Sequence, residues 1–460
     1  MTTPRIAVVG GGISGLAAAH RLLHPDDRAG MPTPEVVVHD GGPNPGGRLR
    51  ATPFAGVAHV DEGADAMLAR VPDAVALAHE VGLGDLVHPE PVSAAVWMNG
   101  KLHPIPEGLM LGVPRRLLPL ARNRLLTWRG TARAAIEPLL PRSDIGHDSI
   151  GRLIRARFGD EVHDRIVDAL VGSIYAADTD RSSLAEVPQL AGLASSRSLL
   201  LAARSMPSPP GTATAAAAPI FASPRNGTAA LAAATRTAVT DAGGEIRPTT
   251  VSALDSDGDG WRLDDERFDA VVLATSAGGA ATLLRGASPE AGDLLRVAET
   301  ADVAMVALHL PADQWSDELV GKSGYLVPKS VQRLVTAVSF GSQKWAHWSP
   351  PDGGEILRVS LGRDGLPVLQ LSDEEILAAT LTDLETHLGI AFSPLNSRIT
   401  RWEGAFPQYR PHHRDWVARV TDLLPSGIEV AGAAYRGIGI PACVRDGRRA
   451  ADAIAASLAP

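Results

Sequence analysis

The chain has 460 residues, 45% of them hydrophobic and 21% charged, which is the composition of two or three ordinary globular domains with a sizeable core. A net charge of −9 disfavours a nucleic-acid partner, because a polyanion is repelled at long range. The single cysteine, Cys443, excludes an internal disulfide and any multi-cysteine metal or iron–sulfur site, so a reducing cytoplasm fits.

In chain order, RIAVV (5–9) predicts a short buried strand, GISGLAAAHRLL a helix, and EVVVHD a second strand, together a β-α-β start. The glycine triplet inside MTTPRIAVVGGGISGLAAAH argues against a signal peptide. Residues 104–205 turn Leu- and Arg-rich with helical period and predict an all-helical insertion. The uncharged Pro/Ala/Thr stretch 206–219 reads as a linker or mobile loop. A helix follows at 228–241, then a buried strand in FDAVVLAT (268–275), strand-like alternation through GYLVP, RLVTAVSF and EILRVSLGR, a helix at 373–388, and a closing strand–loop–helix. Pro or paired Gly interrupts the longest uncharged stretches, 206–224 and 270–284, before about 18 apolar residues accumulate, so no membrane-spanning segment is expected.

The first turn, Gly10, Gly11, Gly12, Ile13, Ser14 and Gly15, carries GxGxxG directly between a strand and a helix, the context that gives this common pattern weight. Gly10 permits the tight turn, Gly12 lets backbone approach a pyrophosphate, and Gly15 lets helix and strand pack closely, while the helix N-terminus offers partial positive charge. Asp40, ending the second strand and followed by Gly41, sits where a carboxylate accepts hydrogen bonds from an adenosine ribose. Gly46 and Gly47 then allow a loop to pass the same pyrophosphate, with Arg48 as a planar cation against it. The competing reading, a glycine-rich turn without ligand, leaves the strand, helix, acid and cation unexplained together.

An acid, six residues and then Gly-Gly-Arg resembles the large flavoprotein family containing amine oxidases, phytoene desaturases and the oxygen-dependent porphyrinogen oxidases. The resemblance implies one non-covalent FAD per chain. It also implies an α/β fold: a discontinuous Rossmann-like FAD-binding domain (1–74, 220–290, 428–460), a mixed α+β substrate-binding domain (75–103, 291–427) and the helical domain 104–205. By the same likeness Gly63, Ala64, Asp65 and Ala66 in DEGADA lie near the flavin, Val251 contacts the adenine, Trp402 stands beside the flavin, and Ile438, Gly439 and Ile440 face its pyrimidine end.

NGKLHPIPEG (99–108), RFGDEVHDRIVDALVGSIYAADTD (157–180), GYLVP, RWEGAFPQYRPHH (401–413) and GIGIPACVRDG (437–447) resemble the porphyrinogen oxidases of haem biosynthesis over nearly the whole chain, in their Gram-positive, coproporphyrinogen III-oxidising form. This implies three two-electron oxidations of a porphyrinogen, three O2 reduced to three H2O2, and no catalytic side chain, since the flavin carries the hard step. Leu326 and Phe340 would sandwich a pyrrole ring, and the turn from Gly172 to Ala177 would line the cavity with carbonyls. Ala94 stands where eukaryotic relatives place a basic residue, so Arg363 is the candidate replacement anchor for a substrate carboxylate; a solvated surface arginine is its plainer reading. His412, His413 and Asp415 do not predict a metal site, because adjacent histidines diverge on any regular element. Protoporphyrinogen IX as substrate, another amine oxidase-like chemistry with Cys443 as a flavin tether, and a non-catalytic protein on the same fold stay open. So do peripheral membrane contact and transient contact with the next haem-pathway enzyme.

Overall fold

The computed structural model describes residues 3–24, 33–141, 148–206 and 219–459. The expected linker at 206–219 lies, except at its two ends, outside the described residues.

Short β-branched runs with no polar interruption are suited to a sheet covered on both faces. Strands Glu245–Arg247, Glu35–His39, Arg5–Val9, Ala270–Leu273 and Ile428–Val430 form such a sheet, in that spatial order and all parallel. Helices Ile13–Leu23 and Ile440–Ser457 cross one face side by side. Gly447 makes their approach close, since a Cβ there would lie 2.1 Å from the Ser14 carbonyl oxygen. The first and last helices of the chain therefore begin at the same edge of the sheet.

The second sheet has seven strands, ordered Asn396–Pro407, Thr300–Leu310, Glu355–Leu361, Val335–Phe340, Lys322–Leu326, Ser93–Met98 and Lys101–Pro104. Alternation divides its side chains. Val306, Leu308, Val338, Phe340, Leu357 and Val359 pack with Ile376 and Leu384 of helix Asp373–Leu388, which starts at a capping box of Ser372 and Glu375. The opposite face carries the row Met305, Ser360, Ala337 and Leu326, each paired with the next.

The stretch expected to be wholly helical is not. It opens with the end of strand Lys101–Pro104 and a hairpin pairing Leu109–Met110 with Val113–Pro114, whose turn places Leu111 and Gly112 at φ 47° and 88°. Helices follow from Leu117, including the ten-residue π-helix His163–Gly172. Their core is locked by Arg157 and Glu137, a fully buried pair 2.5 Å apart whose spare carboxylate positions take the N–H groups of Leu199 and Leu200.

Candidate functional site

The glycines of the first turn divide by what surrounds them. Gly10 has φ 112° and a Cβ there would lie 2.6 Å from the Ala274 carbonyl oxygen; one on Gly15 would lie 1.9 Å from the Gly10 carbonyl oxygen. A Cβ on Gly11 would meet the Asp40 carboxyl carbon at 2.2 Å, so this glycine is fixed by packing as well. Around Gly12 nothing lies within 4 Å, so its freedom serves the open groove rather than the fold. Gly46 bridges to Gly12, and Gly46 and Gly47, at φ 86° and 64°, turn the second loop along the same groove. Asp40 is held by Arg236 at 3.1 Å.

Arg48 reaches into the cavity, where it is open to solvent yet enclosed by protein on most sides, and this desolvation lowers its pKa. Its Nη2 donates to the Gly404 carbonyl at 2.7 Å, and it has no carboxylate partner among the described residues. An enclosed cation without a counter-ion, beside a glycine with open space and a helix N-terminus, fits an anionic diphosphate. Thr249, Thr250 and Val251 line the end of the groove near Asp40.

The segment after Asp61 is clamped from three sides. Buried Asp61 accepts from Thr228 N and Oγ1 at 2.8 and 2.9 Å at the start of helix Ala229–Asp241, and burial pushes its pKa up to about 6. Glu62 accepts from Arg50, from Thr52 at 2.6 Å and from Thr400 at 2.9 Å, while its carbonyl takes the Trp402 indole N–H at 3.0 Å. Gly63, Ala64, Asp65, Ala66 and Trp402 all line the cavity. Burial alone would raise Asp65, but Lys344 at 2.8 Å and Arg358 at 3.4 Å hold it below the usual carboxylate range. Nothing in the sequence near Asp65 points to Lys344 or Arg358; the seven-stranded sheet brings them there.

PQYRPHH braces the closing turn. The Tyr409 hydroxyl donates to the Ala433 carbonyl at 2.5 Å and accepts from Gly437 N at 3.0 Å. His413 stacks between Tyr409 and Trp416, with ring centroids 4.2 and 5.3 Å away, and donates from Nε2 to the Tyr435 carbonyl at 3.0 Å. Burial lowers its pKa to about 4, the state of a neutral structural imidazole. His412 is exposed beside Asp415, and no group able to hold a metal occurs among the described residues. Ile438, Gly439 and Ile440 line the cavity at the start of the last helix. Cys443 lies one turn on, its Sγ 3.8 Å from the Gly437 and Ile438 carbonyls, and burial pushes the thiol up to about 11. A thiol so protonated is a poor nucleophile towards a flavin methyl position.

Beyond the closing turn the cavity wall is the end of the π-helix, Gly172 to Ala176, with Ala176 left-handed at φ 46°. The carbonyls of Gly172, Ala176 and Ala177 already accept from Ala177 N, Asp364 N and Arg363, so this turn offers fewer free acceptors than the resemblance implied. Arg363 differs from both of its expected roles. It lines the cavity but is 5% exposed, not a surface arginine, and its guanidinium grips both oxygens of buried Asp168 at 3.1 and 3.0 Å. Its charge is matched before any substrate carboxylate arrives. A Cβ on Gly172 would lie 2.7 Å from this guanidinium, which explains glycine there.

Phe340 is not a cavity residue. Paired with Leu357, it belongs to the sheet face that packs on helix Asp373–Leu388, fully buried and edge-on to Trp315 and Tyr325. Leu326 lies on the cavity-side face but two strands out from Ser360, packed against the helical core rather than lining the cavity. The sheet residues that do line it are Val303, Met305, Thr336 and Ser360.

A family model described as flavin-containing amine oxidoreductase matches residues 13–455. The chain is similar to coproporphyrinogen III oxidase of Bacillus subtilis (strain 168), at 29% identity over 97% of this chain and 96% of that protein. It is similar to coproporphyrinogen III oxidase of Mycobacterium leprae (strain TN), at 32% identity over the full length of both. A crystal structure assigned to protoporphyrinogen oxidase, from Exiguobacterium sp. 255-15, superposes with a TM-score of 0.85 at 28% identity, covering 99% of each chain. With its glycine loops, its enclosed cation and its closing turn gathered on one groove, the chain belongs to the flavin-containing amine oxidoreductase family.

Proposed function

We propose that the chain binds one FAD non-covalently and oxidises coproporphyrinogen III to coproporphyrin III, passing six electrons to three O2 with formation of three H2O2. The observation that carries this reading is a single cavity of about 2080 Å3. It runs from Val251 and Asp40 past Gly12 and Arg48 to the Gly172–Ala176 turn. Ordinary ligand pockets measure roughly 300–1,000 Å3, so this one has room for a dinucleotide and a macrocycle end to end. Full-length likeness to proteins named coproporphyrinogen III oxidase supports that substrate.

Gly10 to Gly15, Gly46, Gly47 and Arg48 would hold the diphosphate, Asp40 and Gly41 the ribose, Val251 the adenine, and Gly63 to Ala66, Trp402 and Ile438 to Ile440 the flavin. When bound, the flavin supplies the two-electron acceptor for hydride from a meso carbon. The chain's own contribution is positioning. The sheet face bearing Met305, Thr336 and Ser360 and the turn at Gly172 set the plane of the macrocycle, and the Arg363–Asp168 pair keeps that turn rigid. We assign 1–74, 220–290 and 428–460 to cofactor binding, 75–103 and 291–427 to the substrate wall, and 104–205 to its helical cover.

Protoporphyrinogen IX is the second reading, favoured by the likeness to the Exiguobacterium structure. The test is an assay in which purified protein meets each porphyrinogen anaerobically and air is then admitted, with porphyrin fluorescence and peroxide followed together. Faster porphyrin formation from coproporphyrinogen III, with three peroxides per porphyrin, is expected. Fluorescence from protoporphyrinogen alone would replace the substrate, and fluorescence from neither would remove the assignment in favour of an amine oxidase, a desaturase or a non-catalytic binder.

A further inference from the structure

One face of the helical region is built the wrong way round for a solvated surface. Helix Trp128–Ala135 turns Gly130 and Ala134 inward, while Trp128, Ala132 and Ala135 face out; Ile136 and Leu139 continue the same stripe through the next turn. Trp128 is 77% exposed, Leu139 80% and Ile136 44%, and the neighbouring helix Leu117–Arg122 adds Leu118 at 59%. Such residues are normally scattered singly on a surface; here four large ones share a patch.

The charges around the patch have one sign. Arg116, Arg122, Arg124 and Arg129 are exposed and have no carboxylate partner among the described residues, and the Arg129 guanidinium lies 5.3 Å from the Trp128 ring. The carboxylates of the elements packed nearby are already engaged. Glu161 holds Thr127 and Arg165, Asp160 holds Arg155, and Glu137 is buried with Arg157. This cluster stands on a chain whose net charge is −9.

An apolar stripe with an interfacial tryptophan and a rim of unpaired arginines is the composition of a surface that lies on anionic lipid. We propose that this face docks on an anionic phospholipid bilayer, with Leu118, Trp128, Ile136 and Leu139 entering the headgroup boundary and the four arginines meeting phosphates. A second copy of the chain fits less well, since a two-fold contact would set arginine against arginine. The acidic remainder of the molecule is repelled by the same lipid, which turns this face towards it. No helix among the described residues is long and apolar enough to cross a membrane, so the contact is with the surface. The inference is independent of the substrate.

Full-length protein is sedimented with vesicles of phosphatidylcholine alone and of phosphatidylcholine containing phosphatidylglycerol, at low and high salt. Binding to the anionic vesicles, weakened by salt and nearly absent on neutral ones, is expected. Each arginine near the surface contributes about fivefold, so R122E/R129E should lower partitioning on the order of 25-fold or more. W128A/L139A should lower it about tenfold, and both variants should melt as the wild type does, because the altered side chains are exposed. The proposal is overturned if wild-type protein stays in the supernatant with anionic vesicles, or if both double variants sediment as the wild type does. It also falls if light scattering shows a dimer that W128A/L139A converts to monomer, which would make this face an interface between copies.

Discussion

Arg48 separates the energetics of the fold from those of the cofactor. In the protein its only hydrogen bond runs to the Gly404 carbonyl at 2.7 Å. It makes no ion pair among the described residues, and its guanidinium is open to the cavity. Replacing it with methionine keeps the aliphatic stem and removes the charge, so the flavin-free protein should change in stability by no more than about 0.5 kcal/mol. With a diphosphate in the groove water is excluded. A unit charge about 4 Å from an anionic oxygen at an effective dielectric near 20 then contributes roughly 4 kcal/mol, which is close to three decades in dissociation constant. The assay is a flavin-fluorescence titration of flavin-free protein with FAD, paired with thermal melting. Arg48→Met should melt as the wild type does without FAD, bind FAD several hundredfold more weakly, and show little of the wild type's FAD-induced rise in melting temperature. Arg48→Lys should fall between, keeping the charge but losing the planar fork. A methionine variant that binds FAD within about threefold of wild type would refute the placement of the diphosphate, and a flavin-free variant that unfolds would show that Arg48 is structural.

Two glycines three residues apart should fail in opposite ways. Gly12→Ala has open space for its methyl group and should fold normally while losing flavin. Gly15→Ala places a methyl carbon 1.9 Å from the Gly10 carbonyl oxygen and should lose more than about 3 kcal/mol of stability; matched behaviour of the two by melting and flavin content would contradict the division of roles. Phe340→Ala opens a void on the far face of the seven-stranded sheet and should cost about 3–5 kcal/mol. Its folded fraction should keep the wild-type KM for porphyrinogen, and a raised KM at native stability would return Phe340 to the cavity. His413 has its pKa lowered by burial from 6.5 to about 4, so the unfolded chain binds its proton first as pH falls. Its contribution of up to about 3 kcal/mol is complete above pH 6.5 and is lost progressively towards pH 4. His20 and His387 behave alike, so His413→Gln should flatten, without abolishing, the fall in urea stability over this range.

What could be read from the sequence was whatever a few neighbouring residues determine between themselves. Gly10 to Gly15 work through packing and open space within one turn, and Arg48 follows its two glycines directly, so spacing alone points to the groove. The closing turn was legible for the same reason, although the reason Tyr409 and His413 accompany it, a hydrogen bond across Ala433 and Gly437 and a ring stack, appears only in the fold. Partners separated by the length of a domain left no local signal. Lys344 meets Asp65 across 279 residues and Arg363 meets Asp168 across 195, and neither sequence neighbourhood carries a trace of the other. Phe340 shows a different limit. An aromatic in an alternating strand sits on one face or the other by register alone, and the irregular pairing between Val335 and Ala337 hides that parity from the sequence. The hairpin at 109–114 was hidden by leucine content typical of a helix, and it is the left-handed turn at Leu111 and Gly112 that decides it.

The arginines of the cavity wall explain why one cation matters more than the rest. Arg363 is held by Asp168, Arg410 by Asp364 and Glu299, Arg414 by Glu186, Arg436 by Asp446, and Arg445 by Asp73 at 3.5 Å. Each of these fixes one piece of wall to another, and drawing it towards a ligand would leave a carboxylate behind, most expensively at Asp168, where both partners are buried. Arg48 alone among the described cavity arginines has no such debt. A cavity that has neutralised every cation except the one beside the glycine loop commits its fixed charge to the cofactor. It leaves the macrocycle to be held by shape, by the sheet face at Met305 and Ser360 and by the turn at Gly172.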